Sequence, residues 1–342
     1  MNLKFGREVC NNLAIAQSRE WLVTNGIGGY ASGTISGILT RCYHGLLIAA
    51  LKPPVARTLL LTKLEEIVNY NGQFYDLSAN LWADGTVAPQ GYLNLESFYL
   101  DGTIPVWNFA FADGLLEKRL WMQQGENTTC IRYSYKRGSQ PLTLSLKALV
   151  NYRDHHGNTR VLDNSLGKIE KITDRDLEIK VFPDATSLYL SAISENKTIN
   201  FSWEINNIWY QNFALAIEKY RGLDNIEAHL LAATGKITLQ PGDSITIAAS
   251  TNIKNKIQDY RETILREKLL ITKFSFSNNN HSRTIPDWIQ QLVLAADQFI
   301  VARPSTNNSK GKTIIAGYPW FTDWGRDTAI ALPGLTISTG RY

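Results

Sequence analysis

The chain has 342 residues, of which 44% are hydrophobic, and its 35 Lys and Arg against 31 Asp and Glu give a formal net charge of +4. This mild balance, with no run of like charges, argues against a nucleic-acid-binding protein and against attachment to an anionic membrane. The length predicts two domains, or one large β domain with a remnant of another, and the hydrophobic fraction suffices for a core of ordinary size.

The cysteines and the N-terminus indicate the cellular compartment of the protein. Cys10, Cys42 and Cys130 are odd in number, far apart and without a C-x-x-C motif, which is typical of buried thiols in a reducing compartment. The N-terminus lacks an apolar run of signal-peptide length, and no segment approaches the roughly 18 apolar residues of a transmembrane helix. We therefore predict a cytoplasmic protein without membrane contact, and the oligomeric state stays open.

The first distinctive stretch is rich in glycine: WLVTNGIGGYASGTISG, residues 21–37. Gly26, Gly28 and Ala31 fit the G-x-G-x-x-A form of the dinucleotide fingerprint. That site also needs a helix directly after the glycines, to hold the pyrophosphate, and an acidic residue about 20 positions later. The residues that follow are poor helix formers, and no Asp or Glu occurs between Glu20 and Glu65. We therefore expect no nucleotide site here.

From about residue 40 to 255 the sequence predicts many short strands. The segments are β-branched or aromatic, several alternate with period two, and turn signals such as Asn71-Gly72 separate them. This spacing is typical of a large antiparallel β-sandwich. The predicted strands are 45–51, 58–62, 106–112, 118–122, 128–135, 142–150, 167–173, 177–182, 187–193 and 243–251.

The period changes after about residue 255. Residues 255–271 predict a charged amphipathic helix, 275–284 a polar linker and 303–312 a loop. A second helix is predicted over 286–302, because apolar residues recur there at helical spacing, and another near 326–335. The apolar face of the helix at 286–302 consists of Ile289, Leu292, Val293, Ala296, Phe299 and Ile300.

The most specific string lies near the end of the chain: AGYPWFTDWGRDTAIALPGL, residues 316–335. It resembles the start of the catalytic domain of glycogen debranching enzymes of the amylo-α-1,6-glucosidase type. Three earlier segments resemble the N-terminal domain of the same family, in the same order. They are EWLVTNGIGGYASGTISGILTRCYHGLLIAA (20–50), LVNYRDHHGNT (149–159) and WYQNFALAIEKYRGLD (209–224).

The resemblance implies a fold that is mainly β, with a large antiparallel β-sandwich followed by the first helices of an incomplete glucoamylase-like (α/α)6 barrel. It divides the chain into a β-rich N-terminal domain at 1–270, a linker at 271–285 and the start of the catalytic domain at 286–342. Most of the barrel would lie beyond Tyr342. We therefore expect the N-terminal portion of a longer enzyme, in which the apolar face of the helix at 286–302 is left exposed.

The implied activity is hydrolysis of α-1,6-glucosidic branch points in glycogen or a similar α-glucan, without a cofactor or a metal. Hydrolysis needs one carboxyl group that protonates the leaving oxygen and a second that activates water or attacks the anomeric carbon. The resemblance puts both beyond Tyr342, so the 342-residue chain by itself is expected to be inactive. The alternative function is a non-catalytic carbohydrate-binding or interaction module.

Arg326 and Asp327 are the predicted substrate-binding pair. A guanidinium offers a planar fork of donors and a carboxylate offers two acceptor oxygens, so neighbours at a helix start can hold adjacent hydroxyls of one sugar. The resemblance assigns the pair to the terminal glucose, with Trp320 and Trp324 as stacking platforms and Asp323 in the same loop. The residues alone also allow another interpretation, in which Asp327 caps the helix, Arg326 pairs with a nearby acid and the tryptophans belong to the core.

Two other motifs remain open. The glycines at 25–29 either pack against the catalytic domain or form a tight turn of the sandwich. In NYRDHHGNT, His155 and His156 are adjacent and would point to opposite faces of a strand, so joint metal binding is not predicted. Arg153, Asp154 and His155 either reach the substrate cleft or form a structural ion-pair loop.

Overall fold

The structure, a computed structural model, describes residues 3–161, 167–196, 199–254, 256–277, 285–304 and 309–341. The main part of the predicted linker, 278–284, and part of the predicted loop, 305–308, lie outside these residues. No helix within the described ranges has the length and apolar character needed to cross a membrane.

Strands make up most of the fold. The first eleven are β1 (Lys4–Phe5), β2 (Glu20–Thr24), β3 (Tyr30–Thr34), β4 (Gly45–Lys52), β5 (Val55–Tyr70), β6 (Gln73–Asp76), β7 (Ala79–Leu81), β8 (Val87–Gln90), β9 (Leu95–Asp101), β10 (Ile104–Phe111) and β11 (Gly114–Met122). The others are β12 (Thr128–Arg137), β13 (Leu142–Asp154), β14 (Lys168–Lys171), β15 (Asp176–Lys180), β16 (Leu188–Ile193), β17 (Phe201–Ala214), β18 (Ile226–Leu239), β19 (Ser244–Ser250), β20 (Ile300–Ala302) and β21 (Lys312–Ile314).

Two large sheets face each other. Within the described residues one sheet has nine strands in the order β1-β9-β10-β11-β12-β19-β16-β15-β14. The other has eight, seven in the order β17-β18-β13-β5-β4-β3-β2 with β6 beside β5. The strand pairs in both sheets are antiparallel. The predicted mainly β, antiparallel fold is therefore confirmed.

Each of the ten predicted segments coincides with a strand. Among these ten, β5 differs most in extent, since it runs over Val55–Tyr70 where only 58–62 was predicted; β17 and β18 were not predicted. Charged residues hid the rest of β5, because Lys63, Glu65 and Glu66 interrupt its apolar alternation. All three are nevertheless buried, and a buried charge of this kind needs a polar partner inside the fold.

The predicted turn at Asn71-Gly72 joins β5 to β6. Both residues have positive φ angles, 52° and 79°, as a two-residue hairpin of type I′ requires. This turn chemistry is local, so the sequence alone predicts it.

The core lies between the two sheets. Trp21 of β2 and Trp107 of β10 meet in a T-shaped contact with ring centroids 5.4 Å apart. Fully buried aliphatic side chains such as Leu47, Leu116 and Ile131 belong to the same cluster. Burying each aliphatic side chain contributes about 1.5–3 kcal/mol, so this layer accounts for much of the stability of the fold.

The helices are short, apart from those near the end of the chain. They are α1 (Arg7–Cys10), α2 (Leu13–Ala16), α3 (Ala216–Tyr220), α4 (Tyr260–Ser277), α5 (Asp287–Phe299) and α6 (Gly325–Leu335). Helix α4 begins later than predicted and continues past residue 271, so the predicted linker begins inside this helix. Helix α5 ends before residue 302, because the chain continues as β20, which pairs with β21.

The apolar face of α5 is only partly exposed, which corrects the expectation from the sequence. Val293 and Ala296 are buried, whereas Leu292 is 60% exposed. The helix lies beside α4, and Gln298 Nε2 donates a hydrogen bond to the carbonyl of Leu22 in β2 at 3.2 Å. The C-terminal segment therefore lies against the sandwich.

Candidate functional site

The glycine turn at 25–29 joins β2 to β3, so a strand follows the glycines in place of the helix that a nucleotide site needs. Gly28 has a φ of +95°, and a Cβ there would lie 2.2 Å from the carbonyl oxygen of Pro54, so glycine is required. The carbonyl of Gly26 accepts a hydrogen bond from the Ala302 amide at 2.8 Å. Both open interpretations therefore hold, since the stretch is a tight turn that also contacts the C-terminal segment.

Arg57 of β5 connects the glycine turn to the C-terminal motif. Its Nε donates to the carbonyl of Gly28 at 3.0 Å, and its Nη1 donates to the carbonyls of Pro319 at 3.2 Å and Phe321 at 2.9 Å. The guanidinium carbon also lies 4.8 Å from the centroid of the Tyr318 ring. Arg57 is only 1% exposed, and burial lowers its pKa. The carbonyls and the ring replace part of the hydration that the buried charge has lost, and Nη2 has no hydrogen-bond partner among the described residues.

Arg57 is not among the residues predicted from the sequence. The available signal is a lone arginine just before the apolar run TLLLT. A charge at the edge of a buried strand needs partners, but the sequence does not say which segment provides them.

Arg326 and Asp327 lie in the first turn of α6. The Arg326 side chain is 81% exposed, and its Nε lies 3.8 Å from Asp327 Oδ2. That oxygen is inaccessible to solvent and has no hydrogen-bond partner among the described residues. The N-cap residue is Trp324, and no side chain caps this end of the helix. Asp327 therefore does not serve as the N-cap, although its charge lies at the favourable end of the helix dipole.

The aromatic residues of the same loop differ in their surroundings. Trp324 is 54% and Phe321 50% exposed, and their rings form a T-shaped pair with centroids 6.2 Å apart. Trp320 instead packs edge-on against Tyr43 at 6.4 Å, with the Arg41 guanidinium 5.5 Å from its centroid. The exposed apolar faces therefore belong to Trp324 and Phe321.

Asp323 is engaged in an ion pair. Its Oδ2 accepts from Arg303 Nη1 at 2.9 Å, and its side chain is only 12% exposed. The pair therefore joins the loop before α6 to the segment that follows β20.

The two adjacent histidines follow the end of β13 at Asp154. Their ring centroids lie 3.9 Å apart, which corrects the expectation that His155 and His156 point to opposite faces. Alternation holds only inside a strand, and both residues lie in the turn that follows. The Tyr43 hydroxyl lies 3.1 Å from His156 Nδ1. Burial lowers the pKa of His155 to about 4, so its ring is neutral at neutral pH.

Arg153 forms a buried ion pair, which favours the structural interpretation of this residue. Its Nη2 lies 3.0 Å from Glu227 Oε2 and donates to the carbonyl of Cys42 at 2.7 Å. Arg153 is 9% and Glu227 1% exposed. The pair joins β13 to β18 and to the loop at residue 42.

Two family models match the chain. Residues 19–246 match the model described as glycogen debranching enzyme N terminal. Residues 294–342 match the model described as amylo-alpha-1,6-glucosidase. Among curated proteins none matches.

Several solved structures are similar at low sequence identity. A bacterial glucoamylase complexed with acarbose is 8% identical with a TM-score of 0.35, and the match covers 69% of this chain and 32% of the glucoamylase. A polysaccharide lyase is 12% identical with a TM-score of 0.27, covering 72% of this chain and 34% of the lyase. A family GH92 alpha-mannosidase from Bacteroides thetaiotaomicron is 10% identical with a TM-score of 0.23, covering 85% and 38%.

The chain thus covers about a third of the length of these solved structures. The two family models match in the order that the sequence motifs predicted. Because the first model alone spans more than half of the 342 residues, the chain belongs to the glycogen debranching enzyme family.

Proposed function

We propose that the protein acts in the hydrolysis of α-1,6-glucosidic branch points in glycogen or a similar α-glucan, as the N-terminal portion of a debranching enzyme. Family membership supports a role in carbohydrate chemistry. The match of residues 294–342 to the amylo-alpha-1,6-glucosidase model supports the bond type.

The observation that carries the proposal is the arrangement at the start of α6. Arg326 presents an exposed guanidinium beside the Asp327 carboxylate, whose side chain is 36% exposed although its Oδ2 is not. Donors and an acceptor thus lie side by side, as neighbouring sugar hydroxyls require. The half-exposed rings of Trp324 and Phe321 nearby supply apolar surface for the C–H face of a pyranose, and Trp320 and Asp323 support the loop.

The proposed domain division follows the order of the two family matches along the chain. Residues 1–270 form the β-rich domain, 271–285 the linker, whose first part is the end of helix α4 (Tyr260–Ser277), and 286–342 the start of an (α/α)6 barrel. Two observations support this proposal: the last strand of the large sheets ends at Ser250, and the second family model begins at residue 294.

Bond cleavage needs a proton donor and a second carboxylate on either side of the anomeric carbon. Asp323 is paired with Arg303, and Asp327 is proposed to bind hydroxyls. The proposal therefore puts the general acid and base in the part of the enzyme beyond Tyr342. This chemistry uses carboxyl groups alone and requires no cofactor.

The binding proposal is tested by titrating the 342-residue chain with isomaltose while following the heat of binding. Arg326→Ala and Asp327→Ala should each weaken binding by at least about tenfold, since a hydrogen bond to a charged group contributes about 1.5–3 kcal/mol. Arg261→Ala and Glu262→Ala are matched controls, because they remove an exposed arginine and acid from the first turn of α4. Equal affinities in all four variants would overturn the assignment of the pair.

The glucosidase and the non-catalytic module differ in one assay. The assay measures glucose release from a branched limit dextrin by two samples. One is the native protein purified from its source cells, and the other is the 342-residue chain. Glucose release by the native protein alone supports the proposal. Glucan binding without glucose release by either sample supports the non-catalytic module. Release by the 342-residue chain that disappears in Asp323→Asn or Asp327→Asn would show that the catalytic carboxylates lie here.

A further inference from the structure

We propose that Asp154, His155 and His156 form a binding site for a divalent first-row transition metal such as Zn²⁺. One ligand atom from each residue, a carboxylate oxygen and two imidazole nitrogens, lies within 4.8 Å of the other two. This site is independent of the proposed glucosidase function, since it uses none of the residues assigned to the sugar.

The backbone holds the three side chains together. The His155 amide donates to the carbonyl of Arg57 at 3.1 Å, which ties the turn to β5. The His156 amide donates to Asp154 Oδ1 at 2.9 Å, and the Gly157 amide donates to the Asp154 carbonyl at 3.1 Å. The ligands therefore come from one short turn whose conformation is already set.

The second, independent observation is His155 itself. It is 3% exposed, yet neither of its ring nitrogens has a hydrogen-bond partner among the described residues. Two other buried histidines differ, because His44 Nδ1 accepts from the Thr40 amide and His229 Nδ1 lies 3.2 Å from the Thr62 hydroxyl. A buried polar group without a hydrogen-bond partner destabilises the folded state. A metal ion bound to His155 would remove this cost.

The donor set selects the class of metal. Two imidazoles and one carboxylate suit zinc and its neighbours, whereas calcium and magnesium prefer oxygen ligands alone. Zinc–nitrogen bonds of about 2.0–2.1 Å require the ligand atoms to move closer together. Asp154 and His156 are exposed and have room for this movement. Water would complete the coordination on the exposed side.

Two positive charges near His155, those of Arg57 and Arg153, oppose a bound cation, and the contacts of both arginines limit this effect. Arg153 is neutralised by Glu227, and the Nε and Nη1 of Arg57 are directed at carbonyls. The Tyr43 hydroxyl bonded to His156 provides the outer partner that orients a metal-binding imidazole.

The test is isothermal titration of the chelator-treated 342-residue protein with Zn²⁺ and, separately, with Co²⁺. We expect one bound ion per chain. His155→Ala and His156→Ala should each weaken binding by at least about tenfold, since losing a direct ligand costs more than losing an outer-shell partner. The ultraviolet–visible spectrum of the Co²⁺ form should lack thiolate charge-transfer bands, because the three proposed ligands include no cysteine.

The control is His281→Ala, which removes a histidine that is not one of the three proposed ligands and should leave the affinity unchanged. His156 is exposed, so His156→Ala tests the site even if His155→Ala fails to fold. Binding that the His156 variant leaves unchanged, a thiolate spectrum, or affinity that depends equally on His281 would overturn the proposal.

Discussion

At the scale of single residues, Glu66 is a buried charge that the fold satisfies completely. Its carboxylate accepts from the Tyr133 hydroxyl at 2.7 Å and from the Ser78 hydroxyl at 2.9 Å, and it pairs with Lys118 Nζ at 2.5 Å. Burial alone would raise the pKa of Glu66, but the ammonium and the hydroxyls outweigh it and lower the pKa below its ordinary value. Its stabilising contribution is therefore present above the unfolded-state pKa and is lost as the pH falls through the folded-state pKa.

Replacing Glu66 with Gln should lower the free energy of unfolding at pH 7 by about 3 kcal/mol, because it leaves the Lys118 charge buried without its partner. The loss of stability between pH 7 and acid pH should also shrink, since the titrating group is gone. Urea unfolding at several pH values measures both effects. The control is Glu170→Gln, which breaks an exposed pair with Lys168 and should change stability by less than about 1 kcal/mol. Similar losses in the two variants would contradict this account.

At the scale of elements, Arg57 joins the turn between β2 and β3 to the loop before α6. The loop has its own short-range bonds, from the Ala316 amide to the Thr322 carbonyl and from the Phe321 amide to the Gly317 carbonyl, each 2.9 Å long. These local bonds leave open how the loop lies against the sandwich. Arg57 provides that connection, because it bonds carbonyls on both sides.

Replacing Arg57 with Met should therefore loosen the loop more than the sheets. We expect faster hydrogen exchange at the Ala316 and Phe321 amides and a loss of about 2–4 kcal/mol in unfolding free energy, since several carbonyls lose their buried donor. Arg57→Lys should lower the unfolding free energy by an intermediate amount, because one ammonium group cannot reproduce the several donors of a guanidinium. The control is Arg119→Met, which breaks ion pairs with Asp101 and Glu117. In this variant hydrogen exchange at the loop amides should rise no more than the loss of global stability accounts for. Equal effects on the loop in both methionine variants would contradict the role of Arg57.

At the scale of the whole molecule, the C-terminal segment covers part of the sandwich. Tyr30, Ile48 and Leu59 are fully buried and belong to one cluster with Val301 and Ile315. The division into domains stays a prediction, but the segment after residue 286 and the sandwich share an apolar contact.

Deleting residues 286–342 should lower the melting temperature and promote aggregation, because it exposes Tyr30, Ile48 and Leu59. Each large apolar side chain returned to water costs about 1.5–3 kcal/mol. Thermal melting and light scattering of the shortened chain measure the effect. A shorter deletion of 336–342 leaves the cluster intact and serves as the control. A shortened chain that melts at the original temperature and stays soluble would show that the two parts fold independently.

The sequence by itself determined the class of the fold, because period-two alternation and turn chemistry are local properties that survive without tertiary contacts. The ten predicted strands and the turn at Asn71-Gly72 follow from such patterns. The motif of residues 316–335 likewise indicated the family. It predicted a helix near residue 326, which the structure confirms, and Arg326 and Asp327 lie in its first turn.

Only the tertiary structure decided which distant segments meet. Arg57 bonds the carbonyl of Phe321 across 264 positions of sequence, and Trp320 packs against Tyr43 although nothing near either residue specifies its partner. The contact between the rings of His155 and His156 depends on where β13 ends. This strand ends at Asp154, where its hydrogen-bonded pairing with β5 stops. Contacts of this kind arise from how the sheets are assembled, and a one-dimensional pattern carries no record of them.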